Sequence, residues 1–196
     1  MENDRISRQA VLFFLATLFF ALSAMPEGFC QSAPVKGLQL VLSIEKGESE
    51  TPHFRLEFLN VGQTDLILNL GSMLANGRKQ YAYAVILKIT DSQGVHRQFD
   101  LIGPGGGGVE GRIDPFVVPL PGGATFSIPL ELNKYWPTAS QEWEYKFKPG
   151  TYWIAAEFLG KGVSEREANL DAKYVSLFPY WEGTVQSNEL RFKVGK

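Results

Sequence analysis

From Leu38 onward, apolar and polar residues alternate with a period of two. In LQLVLSI, Leu38, Leu40, Leu42 and Ile44 fall on one face; in HFRLEFLN, Phe54, Leu56 and Phe58 oppose His53, Arg55 and Glu57. DLILNL repeats the pattern with Leu66, Leu68 and Leu70, and YAVILKI with Val85, Leu87 and Ile89. VHRQFDLI, FVVPL, ATFSIPLEL, EWEYKFK, TYWIAAEFL and ELRFKV read the same way. Such alternation predicts half-buried strands, because successive side chains of a strand point to opposite faces. NVGQTD, TDSQG, PLPGG and KPG punctuate them with turn chemistry. Only SEREANLDAKY, at 164–174, has room for a turn or two of helix. Many short strands with regular turns predict an all-β fold, an antiparallel sandwich.

The N-terminal part departs from this pattern. Arg5 and Arg8 precede VLFFLATLFFALSA, a run from Val11 to Ala24 without a charge. A basic flank, an apolar core of roughly 7–15 residues and small residues after it make a secretory signal peptide. The run falls short of the ~18–20 apolar residues of a spanning helix. The expected organisation is a signal peptide at 1–33, cleaved near 24–33, and a single β-sandwich domain at 34–196, with no membrane span after cleavage. Cys30 is the single cysteine, and Glu27 and Phe29 before it do not suit lipidation. Cleavage beyond Cys30 leaves a chain without disulfides, which suits a bacterial envelope protein with a core large enough to stand unaided. The expected location is periplasmic or extracellular.

Charge narrows the partners. Residues 1–33 carry two of the 19 basic and three of the 21 acidic residues, so 17 stand against 18 in the remainder, a formal charge of −1. That balance gives no electrostatic footprint for nucleic acid and no polybasic membrane patch.

The segment KPGTYWIAAEF places Tyr152 two residues after the Pro149–Gly150 turn, at the start of an apolar strand. A tyrosine so placed in a Greek-key sandwich can turn its hydroxyl back onto upstream backbone and lock the corner. With this PG-x-Y corner and the later WEGTVQSNELRFKV, Trp181 to Val194, the chain resembles bacterial secreted immunoglobulin-like β-sandwich domains. FRLEFLNVGQTDLILNLG is similar to the paired strands of the intracellular proteinase inhibitor family, where an asparagine ends one strand. The resemblance spans most of 38–194 and implies a fold. Its motifs are structural, so it carries no functional residue across, and the N-terminal export pattern departs from an intracellular inhibitor.

Candidate chemistry is sparse. The glycines of LIGPGGGGVEGRIDP, Gly103 and Gly105 to Gly108, lack the following Lys-Ser or Lys-Thr and helix of a phosphate loop, and no βαβ unit accompanies them. They predict an inter-strand loop. His53 and His96 have no neighbours at metal-ligand spacing, and Asp91 in TDSQG reads as a turn residue rather than part of a calcium loop. Glu142 and Glu144 share one strand face, as glycosidase acids could, but also as a solvated face opposite Trp143 and Tyr145 does. With no G-x-S-x-G elbow, the chain is expected to be no enzyme and to take no cofactor.

Aromatics cluster in KYWPTASQEWEYKF and LFPYWEG. Tyr135, Trp136, Trp143, Tyr180 and Trp181 are the candidate ligand or partner contacts, either as exposed platforms or as plugs closing the ends of the sandwich. The resulting expectation is an exported, non-enzymatic binding or interaction module for a protein or glycan of the cell envelope. A carbohydrate-binding module using Trp136, Trp143 and Trp181, or an exported peptidase inhibitor, are the alternatives.

Overall fold

The computed structural model describes residues 32–45, 52–74, 77–101, 113–138, 145–161 and 179–195. Residues 1–31, which hold Cys30 and all but the last two residues of the predicted signal segment, lie outside the described residues, as do Gly103 to Gly108, Glu142 to Glu144 and the segment 164–174. The described strands are β1 (Leu38–Glu45), β2 (His53–Asn60), β3 (Leu66–Leu74), β4 (Lys79–Tyr81), β5 (Val85–Asp91) and β6 (His96–Leu101). They continue with β7 (Asp114–Leu120), β8 (Thr125–Glu131), β9 (Tyr135–Pro137), β10 (Gly150–Gly160), β11 (Gly183–Gln186) and β12 (Leu190–Val194). A single 3-10 turn, Leu132–Lys134, stands between β8 and β9.

All pairing among the described strands is antiparallel. One sheet runs β1-β2-β8, a second β11-β10-β5-β6-β9 with β12 also on β10, and a third β4-β3-β7. The alternation in the sequence explains how the sheets cohere. Leu38, Leu40 and Leu42 of β1 and Phe54, Leu56 and Phe58 of β2 have no exposed surface, nor have Leu68 and Leu70 of β3 or Ile154 and Phe158 of β10. Ile44 does not follow its neighbours: it is 42% exposed, at the far end of β1.

Aromatic contacts join the sheets into one core. Phe58 of β2 meets Phe158 of β10 edge-on at 5.5 Å, Phe54 meets Phe192 of β12 at 5.4 Å, and Phe116 of β7 meets Phe126 of β8 at 6.2 Å. Each such ring stabilises the fold by roughly 1.5–3 kcal/mol through burial, with a further ~0.5–1.5 kcal/mol for the edge-to-face geometry.

Prolines mark the edges. Pro115 and Pro119 lie in β7 and Pro129 in β8, both terminal strands of their sheets. Proline lacks the ladder donor and is tolerated there. Gly71 sits at a bulge in β3, where Asn69 Oδ1 accepts its N–H at 3.2 Å. Its φ of +144° and the Tyr81 carbonyl packed against it leave no place for a side chain.

EWEYKFK departs from its predicted strand. In its described part, Tyr145 to Lys148 pair with no sheet, although the alternation persists, with Lys146 and Lys148 exposed. Tyr145 and Phe147 pack instead as a strap on Phe99, at 5.1 and 5.9 Å, and Phe147 meets Tyr152 at 5.3 Å.

Three polar groups hold the corners. The Tyr152 hydroxyl donates to the Lys148 carbonyl at 2.9 Å, the corner lock that KPGTY predicts. Asn60, 2% exposed at the end of β2, donates to the carbonyls of Thr64 and Leu120 and accepts from the Gly62 N–H. The third is the Ser187–Asn188 pair, buried between β11 and β12. β12 pairs with Gly150–Ile154 and β11 with Glu157–Gly160, so the two lie along one edge of β10. Ser187 carries the ladder across the break: its N–H donates to the Ala156 carbonyl and its hydroxyl accepts from the Ala156 N–H. Asn188 turns to the other sheet, where Oδ1 accepts from Leu42 N–H at 2.8 Å and Nδ2 donates to the Leu42 carbonyl at 3.0 Å.

Replacing that carboxamide leaves a buried backbone donor and acceptor unpaired, each costing about 1–3 kcal/mol. Asn188→Ala is therefore expected to lower the unfolding free energy by about 3 kcal/mol. The exposed neighbour change Glu189→Ala should stay within about 0.5 kcal/mol of the parent. Urea unfolding of residues 34–196 followed by tryptophan fluorescence checks both.

Candidate binding cleft

A cleft of about 390 Å³ opens where the three sheets meet. Its apolar wall is Ala82, Leu101 at the end of β6, Phe116 of β7, and Ile128 and Leu130 of β8. Gly77, Arg78, Gln80, Glu131, Lys134 and Tyr135 supply the polar positions, and Pro129 completes the lining. Period-two alternation in β8 sends Ile128 and Leu130 inward, 6% and 2% exposed, while Pro129 faces out. Their partners across the ladder are Leu56 and Phe54 of β2, so two fully buried side chains back the cleft.

The 3-10 turn sets the polar groups. It carries the chain from β8 in one sheet to β9 in another, and the Tyr135 N–H closes it by donating to the Leu132 carbonyl. Three residues apart on this turn, Lys134 Nζ and Glu131 Oε1 form an ion pair at 2.8 Å. The turn also swings Tyr135 inward until it is 4% exposed. Burial holds its phenol well above the ordinary titration range. Arg78, exposed beside β4, forms no ion pair among the described residues.

The aromatic candidates separate. Tyr135 lines the cleft through a buried ring rather than as an exposed platform. Trp181 is a core residue: 6% exposed, stacked on Phe158 at 5.6 Å and packed over Gly160, where any Cβ would strike its ring. Its Nε1–H donates to the Lys36 carbonyl at 3.2 Å and its backbone N–H to the Ile67 carbonyl at 2.8 Å. Tyr180 is half-buried, with its phenol titration raised by burial. Trp136 contributes backbone to β9 opposite Asp100, and Trp143 lies outside the described residues. Of the five, Tyr135 is the one seen to line the cleft among the described residues.

Sequence reasoning missed Arg78, Gln80, Glu131 and Lys134. The signal available was weak: one ion pair at spacing i,i+3 and a short basic stretch, GRKQ, that runs into a three-residue strand. It also missed the stacked pair Tyr81 and Tyr83, ring centroids 5.7 Å apart and 8° from parallel, with Tyr83 39% exposed.

The remaining polar candidates have local roles. Asp91 organises the β5–β6 hairpin by accepting from the Val95 and Gln93 N–H groups and pairing with Arg97 at 3.1 Å. Those bonds, Val95 first, hold its carboxyl below the usual range. His96 Nδ1 shares a 2.7 Å hydrogen bond with Thr90, and exposed His53 begins β2 opposite Glu45. No group of three His, Cys, Asp or Glu able to hold a metal occurs among the described residues. No helix among them is long and apolar enough to cross a membrane. In comparisons with known proteins, no family model matches the chain and no curated protein matches it.

Tyr135 makes stability depend on alkaline pH. Its folded phenol ionises later than the unfolded one, which titrates near 10. Its contribution is therefore whole below pH 10 and declines as pH rises beyond that value, by up to about 1.4 kcal/mol per pH unit. Urea midpoints at pH 8 and pH 10.5 should fall less between the two for Tyr135→Phe than for the parent.

Proposed function

We propose that the protein is an exported, non-enzymatic binding module of the bacterial envelope, an immunoglobulin-like β-sandwich that receives a ligand in the cleft beside Tyr135. Export rests on the basic flank and apolar run at Arg5 to Ala24. The sandwich reading is supported by wholly antiparallel pairing, a core shared between sheets, and the Tyr152 corner bond of that fold class.

One observation carries the binding role: a cleft of about 390 Å³ in which an apolar wall faces several polar groups, among them the buried residue Tyr135. Small-molecule sites have this make-up, with volumes of about 300–1,000 Å³. Catalysis asks for a base or nucleophile poised near neutral pH. Here the carboxylate of the lining, Glu131, is paired with Lys134, which favours holding a ligand over transforming one. A sugar platform of Trp136, Trp143 and Trp181 loses support, because Trp181 is committed to the core.

Gln80 is exposed on the cleft lining, so Gln80→Trp should obstruct the cleft with little effect on folding. A thermal-shift screen of envelope-derived small molecules against residues 34–196 should yield compounds that raise Tm by several degrees. Those shifts should vanish in Gln80→Trp. Shifts that persist in the variant, or none in the parent, would remove the cleft from the reading.

A further inference from the structure

The chemistry of the cleft specifies the head of its ligand. We propose that it takes a small carboxylate with an apolar body, the acid group lying between Arg78 and the Tyr135 hydroxyl and the body against Phe116, Ile128 and Leu130. This rests on the binding role assigned above.

Charge is the first reason. The lining holds two cations and one carboxylate, and that carboxylate is already engaged by Lys134 at 2.8 Å. Arg78 is left with no ionic partner among the described residues. A guanidinium presents planar paired donors that match a carboxylate, and a cationic ligand would meet repulsion from it.

The phenol is the second. The Tyr135 hydroxyl lies on the cleft lining as a donor that a bound acceptor can engage. Tyr135 is protonated at neutral pH and so has a proton to give, the need of a carboxylate oxygen. The third reason is the wall: Phe116, Ile128 and Leu130 are 5%, 6% and 2% exposed and carry no polar side-chain atom. They suit a hydrocarbon or aryl body and offer nothing to the hydroxyls of a sugar.

Three probes with one body and different heads test this: 4-phenylbutyrate, 4-phenylbutanol and 4-phenylbutylamine, titrated calorimetrically into the purified protein at pH 7. The acid is expected to bind about tenfold more tightly than the alcohol, as a charge-assisted bond worth ~1.5–3 kcal/mol implies, and the amine not at all. Arg78→Gln should remove the preference for acid over alcohol. Tyr135→Phe should weaken acid and alcohol alike, severalfold. Equal binding of acid and alcohol, both abolished by Gln80→Trp, would overturn the carboxylate assignment while leaving the cleft as a binding site. Acid binding unchanged in Gln80→Trp would overturn the assignment and the site together. So would no binding of any probe combined with a thermal-shift screen that finds no cleft-dependent compound.

Discussion

One side-chain carboxamide ties two of the sheets together. Asn188 satisfies both backbone groups of Leu42, and so fastens the outer strand of one sheet to the edge of another. β1 pairs with β2, β2 with β8, and β8 presents Ile128 and Leu130 to the cleft. A bond made by a residue far from the cleft therefore reaches its wall through two ladders. Apolar packing alone could not supply this: burial stabilises association of the sheets without fixing their register, whereas a two-point hydrogen bond to one residue does fix it.

A second anchoring point works on the same plan. Trp181 binds the turn before β1 through the Lys36 carbonyl, touches β3 through the Ile67 carbonyl, and rests on Gly160 at the end of β10. Lys36 returns the contact, its Nζ donating to the Glu182 carbonyl at 2.9 Å. The WEGTVQSNELRFKV stretch thus contains two fasteners, Trp181 and Asn188, on either side of β11. The proline-bearing strands β7 and β8 end their ladders, and Phe116, Ile128 and Leu130 from them line the cleft.

Much of the β architecture was legible because alternation is a local property. β2 coincides with the predicted His53 to Asn60, and Phe54, Leu56 and Phe58 are buried as the pattern requires. Where a strand is only three or four residues long, as in β4, β9 and β11, two alternations are too few to register. EWEYKFK shows the converse: alternation reports which side chains face the core, not whether the backbone finds a ladder, and Tyr145 and Phe147 face it without one. The cleft was less legible still. Tyr135 and Trp181 occupy segments that read as loops, and their burial depends on distant partners: a 3-10 turn that redirects the chain, and a glycine on β10 that admits an indole. Arg78 and Lys134 are ordinary surface cations until the fold brings them to one opening.

The position of Asn188 in the chain also sets a timetable. Its contact with Leu42 spans 146 residues, and the Trp181 bond to Lys36 spans 145. Loop closure over such distances is entropically late, and folds dominated by distant pairings form slowly. During synthesis, β1 and β2 emerge long before the residues that fasten them to the second sheet. Until position 188 is available, the edge of β1 at Leu42 stays open, and any factor that recognises an unpaired strand has that whole interval in which to act.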